Sequence, residues 1–267
     1  MNSVNDRNLV IIIGRGNSGT RIISYTLYAS GVFMGATLNP SGDKVPTKPL
    51  INACDLIAPY IQWKGNLSWD FSRLYTEEIP TEFKTAIAEY LADIQPRTKN
   101  KLAGWKLPET TLVYPWIARL FPNAKYIFWV RDPRDCVTSG HTTDDLRNFG
   151  IDYPETNDER ERRAISWYYQ YKLIESAPTP KHALTVRFED FVLKQDETLA
   201  KLARFLDRPL SKVIVKRAPI GRWRSDSGKH SFEYFDEALR AHHYDTMEPE
   251  SAPVTFAYKL LRKVRGY

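Results

Sequence analysis

The sequence predicts an α/β fold, a central parallel sheet flanked by helices, and three observations carry that prediction. Leu9-Val-Ile-Ile-Ile13 is an unbroken, mostly β-branched apolar run, the pattern of a strand buried on both faces of a parallel sheet. A glycine-rich turn from Gly14 to Gly19 follows at once, and a helical run with Ile22, Ile23 and Leu27 then closes at Gly31. Apolar strand and amphipathic helix go on alternating along the chain, as βαβ units require. With 267 residues, 42% of them hydrophobic, the chain can bury a large core, so one domain over residues 1–267 is expected.

The elements follow in order. Val32-Phe33-Met34 reads as a second strand. Residues 36–75 are the least regular stretch: Pro40, Pro46, Pro49 and Pro59 interrupt it, and Tyr60, Trp63, Trp69, Phe71 and Tyr75 crowd its end. Such a segment either covers a substrate or packs a satellite core beneath a long loop, and both readings stand. Thr81–Ile94 reads as a helix with Phe83, Ile87, Tyr90, Leu91 and Ile94 on one face, ended before Pro96. Leu102–Leu107 reads as a strand, Thr111–Phe121 as a helix and Ala124–Val130 as a strand. Asp132 can cap the next helix and Pro133 suits its first turn; Ser139 is expected two turns in. A helix over Glu159–Ser176, a strand from Leu184, and a helix bearing Leu199, Leu202, Ala203 and Leu206 complete the pattern. Ligands of such folds bind at the carboxyl ends of the strands. Gly14–Arg21, the turn from Lys106 to Glu109, and the residues after Val130 should therefore converge.

Composition excludes several classes. No uncharged apolar run nears 20 residues, so no transmembrane anchor is expected, and Met1–Asn8 carries no signal-peptide core. Cys54 and Cys136 are too few for a disulfide framework; two buried thiols in a reducing, cytoplasmic setting are expected. No Cys/His cluster has the spacing of a metal site. A net charge of +6 suits an anionic ligand, and no nucleic-acid partner is expected. The basic tail at 251–267, with Phe256, Leu260 and Leu261 among its cations, reads as a docked helix in preference to a membrane-surface contact. Oligomeric state is open.

Strand, glycine-rich turn and helix together aim free backbone N–H groups and a positive helix end at an anion, usually phosphate. Gly14, Gly16 and Gly19 spell G-x-G-x-x-G, the dinucleotide fingerprint, which wants an acidic residue closing the next strand. Here that strand leads into Gly35-Ala36-Thr37, and the first acid is Asp43. Gly14 and Gly19 also fit the outer glycines of G-x-x-x-x-G-K-[ST]. Thr20 stands where that motif has lysine, and Arg21 where it has the Mg²⁺-binding hydroxyl.

A third pattern fits better. Asn17-Ser18-Gly19-Thr20, after a strand and flanked by Arg15 and Arg21, resembles the 5′-phosphosulfate loop of sulfotransferases that use 3′-phosphoadenylyl sulfate (PAPS). Arg131 at a strand end, with Ser139 eight residues later, resembles the 3′-phosphate motif of the same family. Arg187-Phe188-Glu189-Asp190-Phe191 resembles its R-[YF]-E-D-[LF] strand end. Lys216-Arg-Ala-Pro-Ile-Gly-Arg-Trp223 resembles its R-K-G-x-x-G-[DR]-W segment, with the first pair swapped and Ala218 in place of a glycine. The resemblance runs from Leu9 to about Trp223. It implies a P-loop-like nucleotide-binding architecture and transfer of a sulfuryl group from PAPS to a hydroxyl or amine, leaving adenosine 3′,5′-bisphosphate (PAP), without a metal. It implies that Arg15, Gly16, Asn17, Ser18, Gly19, Thr20, Arg21, Arg131, Ser139, Lys216, Arg217 and Arg222 bind the cofactor. The acceptor could be a small molecule, a carbohydrate or a peptide.

One departure bears on the chemistry. Many members place Lys or Arg where this chain has Asn17, and that cation contacts the leaving group. Arg15, Arg21, Lys106 or the helix N-terminus must then supply the charge. For the general base Glu109 comes first, with His141, Asp43 and Asp144 behind it; the catalytic set is thus Arg15, Lys106 and Glu109. Two other readings remain, a Rossmann-type NAD(P) enzyme and a non-catalytic nucleotide-binding relative, the second kept open by Asn17.

Overall fold

The structure, a computed structural model, describes residues 4–246. The apolar run forms β1 (Leu9–Ile13), with every residue buried. Its alternation sends Leu9, Ile11 and Ile13 to the core on one face, and Val10 and Ile12 to the core on the other. The sheet has the order β6-β1-β7-β8, where β6 is Ala103–Lys106, β7 is Lys125–Val130 and β8 is His182–Arg187. All three pairings are parallel, with Ile12 opposite Lys106 and Ile13 opposite Phe128, so the strands end at one edge.

Helix α1 (Arg21–Ala29) packs on the face of Val10 and Ile12 with α8 (Phe188–Leu193) and α9 (Gln195–Leu206). The opposite face is covered by α2 (Lys48–Asp55), α4 (Thr81–Tyr90), α5 (Tyr114–Leu120) and α7 (Glu159–Ser176). Between them lie β2 (Thr37–Leu38), β3 (Lys44–Val45), β4 (Gln62–Trp63), β5 (Trp69–Asp70), α3 (Arg73–Thr76) and α6 (Pro133–Cys136). A third cluster joins Trp167 of α7 and Cys136 to Phe235 and α10 (Asp236–Ala241). The 251–267 tail lies outside the described residues. Among the described residues no helix is long and apolar enough to cross a membrane. Cys54 and Cys136 are both buried and unpaired.

Four expectations are corrected. Val32–Met34 is not a full strand: Phe33 alone bridges Ala103, because Gly35 turns the chain away at φ 109°. The helix from Thr81 stops at Tyr90, and turns carry the chain to Ile94. Residues 108–113 form a 3-10 helix before α5, since Pro115 has no N–H to bond back to Thr111. Helix α6 ends at Cys136, short of Ser139. The Asp135 carbonyl that the Ser139 N–H would need is taken by the Thr138 hydroxyl (2.8 Å) and the Arg222 guanidinium (2.8 Å).

The 36–75 segment divides in two. Most of its aromatic end is core, with Trp69 and Phe71 packed edge-on against Tyr169 and Tyr60 against Trp116, while Trp63 stays 38% exposed. Its first part is the β2–β3 hairpin, whose turn carries Ser41 and Asp43 to the end of β6.

Candidate functional site

At the end of β1 the chain turns through Gly14–Thr20 into α1. Asn17 sits at φ 62° and Gly19 at φ 83°, the left-handed region that asparagine and glycine adopt most readily. A Cβ on Gly19 would lie 2.5 Å from the Phe188 ring, so glycine is also required sterically. The loop is held from within and below: the Ser18 hydroxyl donates to the Arg15 carbonyl, and Trp129 Nε1 donates to the Ser18 carbonyl at 2.9 Å. Among the described residues, the N–H groups of Gly19, Thr20 and Arg21 have no protein acceptor, and they point from the start of a helix. That donor set fits a phosphate or sulfate oxyanion.

Arg131 follows β7, with only 5% of its surface exposed. Its guanidinium donates to the Asn17 carbonyl at 2.8 Å and to the Pro219 carbonyl, faces Asp135 at 3.5 Å, and lies 4.7 Å from the centre of the Phe188 ring. Among the described residues its buried Nε has no partner. Ser139, in the bend after α6 and not in the helix expected for it, gives its carbonyl to Asn17 Nδ2 at 3.0 Å and so lies beside the loop. Asp135 fastens the C-terminal basic segment: its carboxylate accepts from the Gly221 and Trp223 N–H groups at 2.8 and 3.1 Å. Arg222 is turned inward onto the Asp135 carbonyl, and burial, then the Arg131 charge, lower its pKa. Lys216 and Arg217 are exposed on the approach to that segment.

The end of β6 supplies the third wall. Lys106 is 2% exposed; its Nζ donates to Asp43 and to the Ser41 carbonyl (2.8 Å), and burial pulls its pKa below the usual lysine value. Glu109 is buried. One carboxylate oxygen accepts from the Thr142 hydroxyl at 2.8 Å, and the other, Oε2, has no partner among the described residues. His141 lies over Gly16, and burial lowers its pKa against the opposing pull of Glu109.

The placement of Arg15 departs from its expected role. Its guanidinium turns inward and pairs with Asp144, whose other oxygen accepts from the His141 N–H at 2.6 Å and faces Arg163 at 3.7 Å. Arg15 thus ties the loop to the 141–144 turn. Arg21 is exposed at the start of α1, close enough for its charge to depress the Lys106 pKa further. Beneath the loop, a cavity of about 580 Å³ lies between β7, β8 and α7, bounded by Ser18 and Arg131 at one end and by Trp167 and Tyr171.

The sequence reading missed the anchoring role of Asp135, the Thr142 hydroxyl on Glu109, and the Phe188 ring shared by Gly19 and Arg131. Asp135 alone carried a local signal, lying four residues beyond Arg131. Among the described residues no group of His, Cys, Asp and Glu could hold a metal ion.

Comparisons with known proteins bear on this arrangement. A Caenorhabditis elegans protein named as a candidate protein-tyrosine sulfotransferase is 27% identical over 173 residues, covering 60% of this chain and 61% of that one. A Caenorhabditis briggsae protein of the same name is 26% identical over 168 residues, covering 60% and 56%. The chain thus spans about three-fifths of the length of these curated relatives. Among solved structures, the sulfotransferase domain of the Synechococcus PCC 7002 olefin synthase shares the fold, with a TM-score of 0.52 at 16% identity, over 90% of this chain and 95% of that one. Residues 10–212 match the sulfotransferase family, from β1 through the basic approach to the 216–223 segment, and the chain belongs to that family.

Proposed function

We propose that the protein transfers a sulfuryl group from PAPS to a hydroxyl or amine acceptor. The observation that carries this reading is Arg131: a buried cation at the end of β7, touching both the phosphate-type loop through the Asn17 carbonyl and the basic segment through the Pro219 carbonyl. An anion bound there would meet the Arg131 charge and its Nε, which has no partner among the described residues, beside Ser139 and the basic 216–222 segment, a setting suited to a 3′-phosphate. The unpaired N–H groups of Gly19, Thr20 and Arg21 suit the 5′-phosphosulfate. Gly16, Asn17 and Ser18 shape that cradle, and Arg15 holds it to Asp144.

In the transfer, a bond forms between the acceptor oxygen or nitrogen and sulfur, and the bond from sulfur to the bridging oxygen breaks. PAP leaves with that electron pair. Lys106 supplies positive charge beside the group in transfer, the stabilisation such displacements depend on. Glu109 takes the acceptor's proton on Oε2, the buried oxygen without a partner, while Thr142 holds Oε1. No metal enters this scheme. The nematode relatives' names favour a peptide hydroxyl as acceptor over a carbohydrate or a small molecule. The two unpaired thiols suit a cytoplasmic setting.

Replacing Arg131 tests the reading. Arg131→Ala should weaken PAP binding by at least about 2 kcal/mol, roughly 30-fold, with far-UV circular dichroism unchanged. Undiminished PAP affinity in the folded variant would remove the 3′-phosphate assignment. The non-catalytic reading is kept in view by the uncharged Asn17, and PAPS turnover with candidate acceptors decides it.

A further inference from the structure

Asn17 carries no charge, yet its amide nitrogen is engaged twice. Its Nδ2 donates to the Ser139 carbonyl at 3.0 Å and to the Gly140 carbonyl at 2.6 Å. Those residues immediately precede His141. On the other side of Gly16, the Arg15 guanidinium pairs with Asp144, which in turn accepts from the His141 N–H at 2.6 Å. The loop is thus stapled to both flanks of one histidine. The result is close contact: a Cβ on Gly16 would fall 2.1 to 2.4 Å from atoms of the His141 ring, so glycine at 16 leaves room for that ring.

The hydrogen bonds also assign the tautomer. The Thr143 N–H, a donor only, points at His141 Nδ1 at 3.2 Å, and the Thr143 hydroxyl lies 3.0 Å from the same atom. Nδ1 therefore accepts, and in the neutral ring the proton sits on Nε2. Burial favours the neutral ring, with the charges of Glu109, Arg15, Asp144 and Asp43 facing it. Among the described residues Nε2 has no hydrogen-bond partner. The Nδ1 contacts hold the ring against Gly16 of the phosphate-type loop, within reach of the Glu109 charge.

We propose that His141 is a catalytic residue of this site: its Nε2–H donates a hydrogen bond to an oxygen of the sulfuryl group in transfer. In this chain the loop position that elsewhere holds a cation is used to fix a neutral donor instead. This rests on the PAPS reading above and deepens it. Preorganised donors of this kind act where charge develops and need no reorganisation when the bond breaks.

PAP lacks the sulfuryl group, so comparing PAPS with PAP isolates the contact without any acceptor. The wild-type chain should bind PAPS more tightly than PAP. In His141→Ala that preference should fall about tenfold, with PAP affinity nearly unchanged. His141→Gln, which returns an amide N–H near Nε2, should recover part of it. Asn17→Ala, which releases the staple and leaves His141 present, should lose the preference as His141→Ala does. With ¹⁵N-histidine labelling, the His141 Nε2–H resonance should move on adding PAPS and stay in place on adding PAP. Equal weakening of PAPS and PAP, an unchanged preference, or a proton found on Nδ1 would overturn the role of His141. A wild-type chain that bound neither nucleotide would instead remove the PAPS reading itself, and this inference with it.

Discussion

Glu189 shows how one buried side chain makes the stability of the fold depend on pH. It is 1% exposed; one carboxylate oxygen accepts from the Asp132 N–H at 3.1 Å and the other from the Tyr244 hydroxyl at 2.9 Å. It therefore joins the turn after Arg131 to the C-terminal part of the described chain. Burial pushes its pKa up to about 7, with Asp132 adding to the rise and the hydrogen bonds opposing it. A carboxyl whose folded pKa lies above its unfolded value stabilises most when protonated. Its contribution is present in full below the ordinary carboxylate range and is lost as the pH rises through about 7. The stability of the wild type relative to Glu189→Gln should therefore fall by up to about 3 kcal/mol between pH 5 and 8, in melting temperatures taken across that range. A constant or rising relative stability would show that burial does not control this group. The placement of Arg131, Glu109 and Lys106 at or just past strand ends was legible in the sequence, because each closes or follows an apolar run. The fate of Arg15 was not: its pairing with Asp144 spans 129 positions, and nothing in the spacing reveals it.

At the scale of elements, the site is a meeting of loops, and Asp135 joins two of them. Its carboxylate accepts two N–H bonds from residues 221–223 while its carbonyl receives Arg222. Asp135→Ala should release that segment and weaken PAP binding about tenfold or more. The fluorescence of Trp223, which lies between Arg134 and Arg224, should change with it. Tight PAP binding in the variant would mean that the basic segment contributes little. The strands were legible from apolar runs, since β1 and β7 had no alternative reading. The ends of the helices were not. Helix α6 stops because an arginine 87 positions away occupies its carbonyl, and the helix before α5 tightens because of Pro115; the first cause is tertiary and the second local. The aromatic end of 36–75 carried two readings, and packing against Tyr169 and Trp116 decides for core.

For the whole molecule, parallel strands ending at one edge deliver three separate stretches to a single place. The loop after β1, the turn after β6 and the bend after β7 meet there, although more than 100 residues separate the first from the last. That convergence followed from the α/β pattern alone, because such sheets bind at their carboxyl ends. Which anion binds did not follow from the pattern, since three glycine templates shared the same loop. Family membership now leaves the dinucleotide reading without support. The most direct measurement is calorimetric titration of the wild-type chain with PAP, alongside NAD⁺ and Mg·ATP. Binding of PAP in clear preference to both is the predicted result. No PAP binding, or a preference for NAD⁺ or Mg·ATP, would contradict the assignment of the Gly14–Arg21 loop and of Arg131.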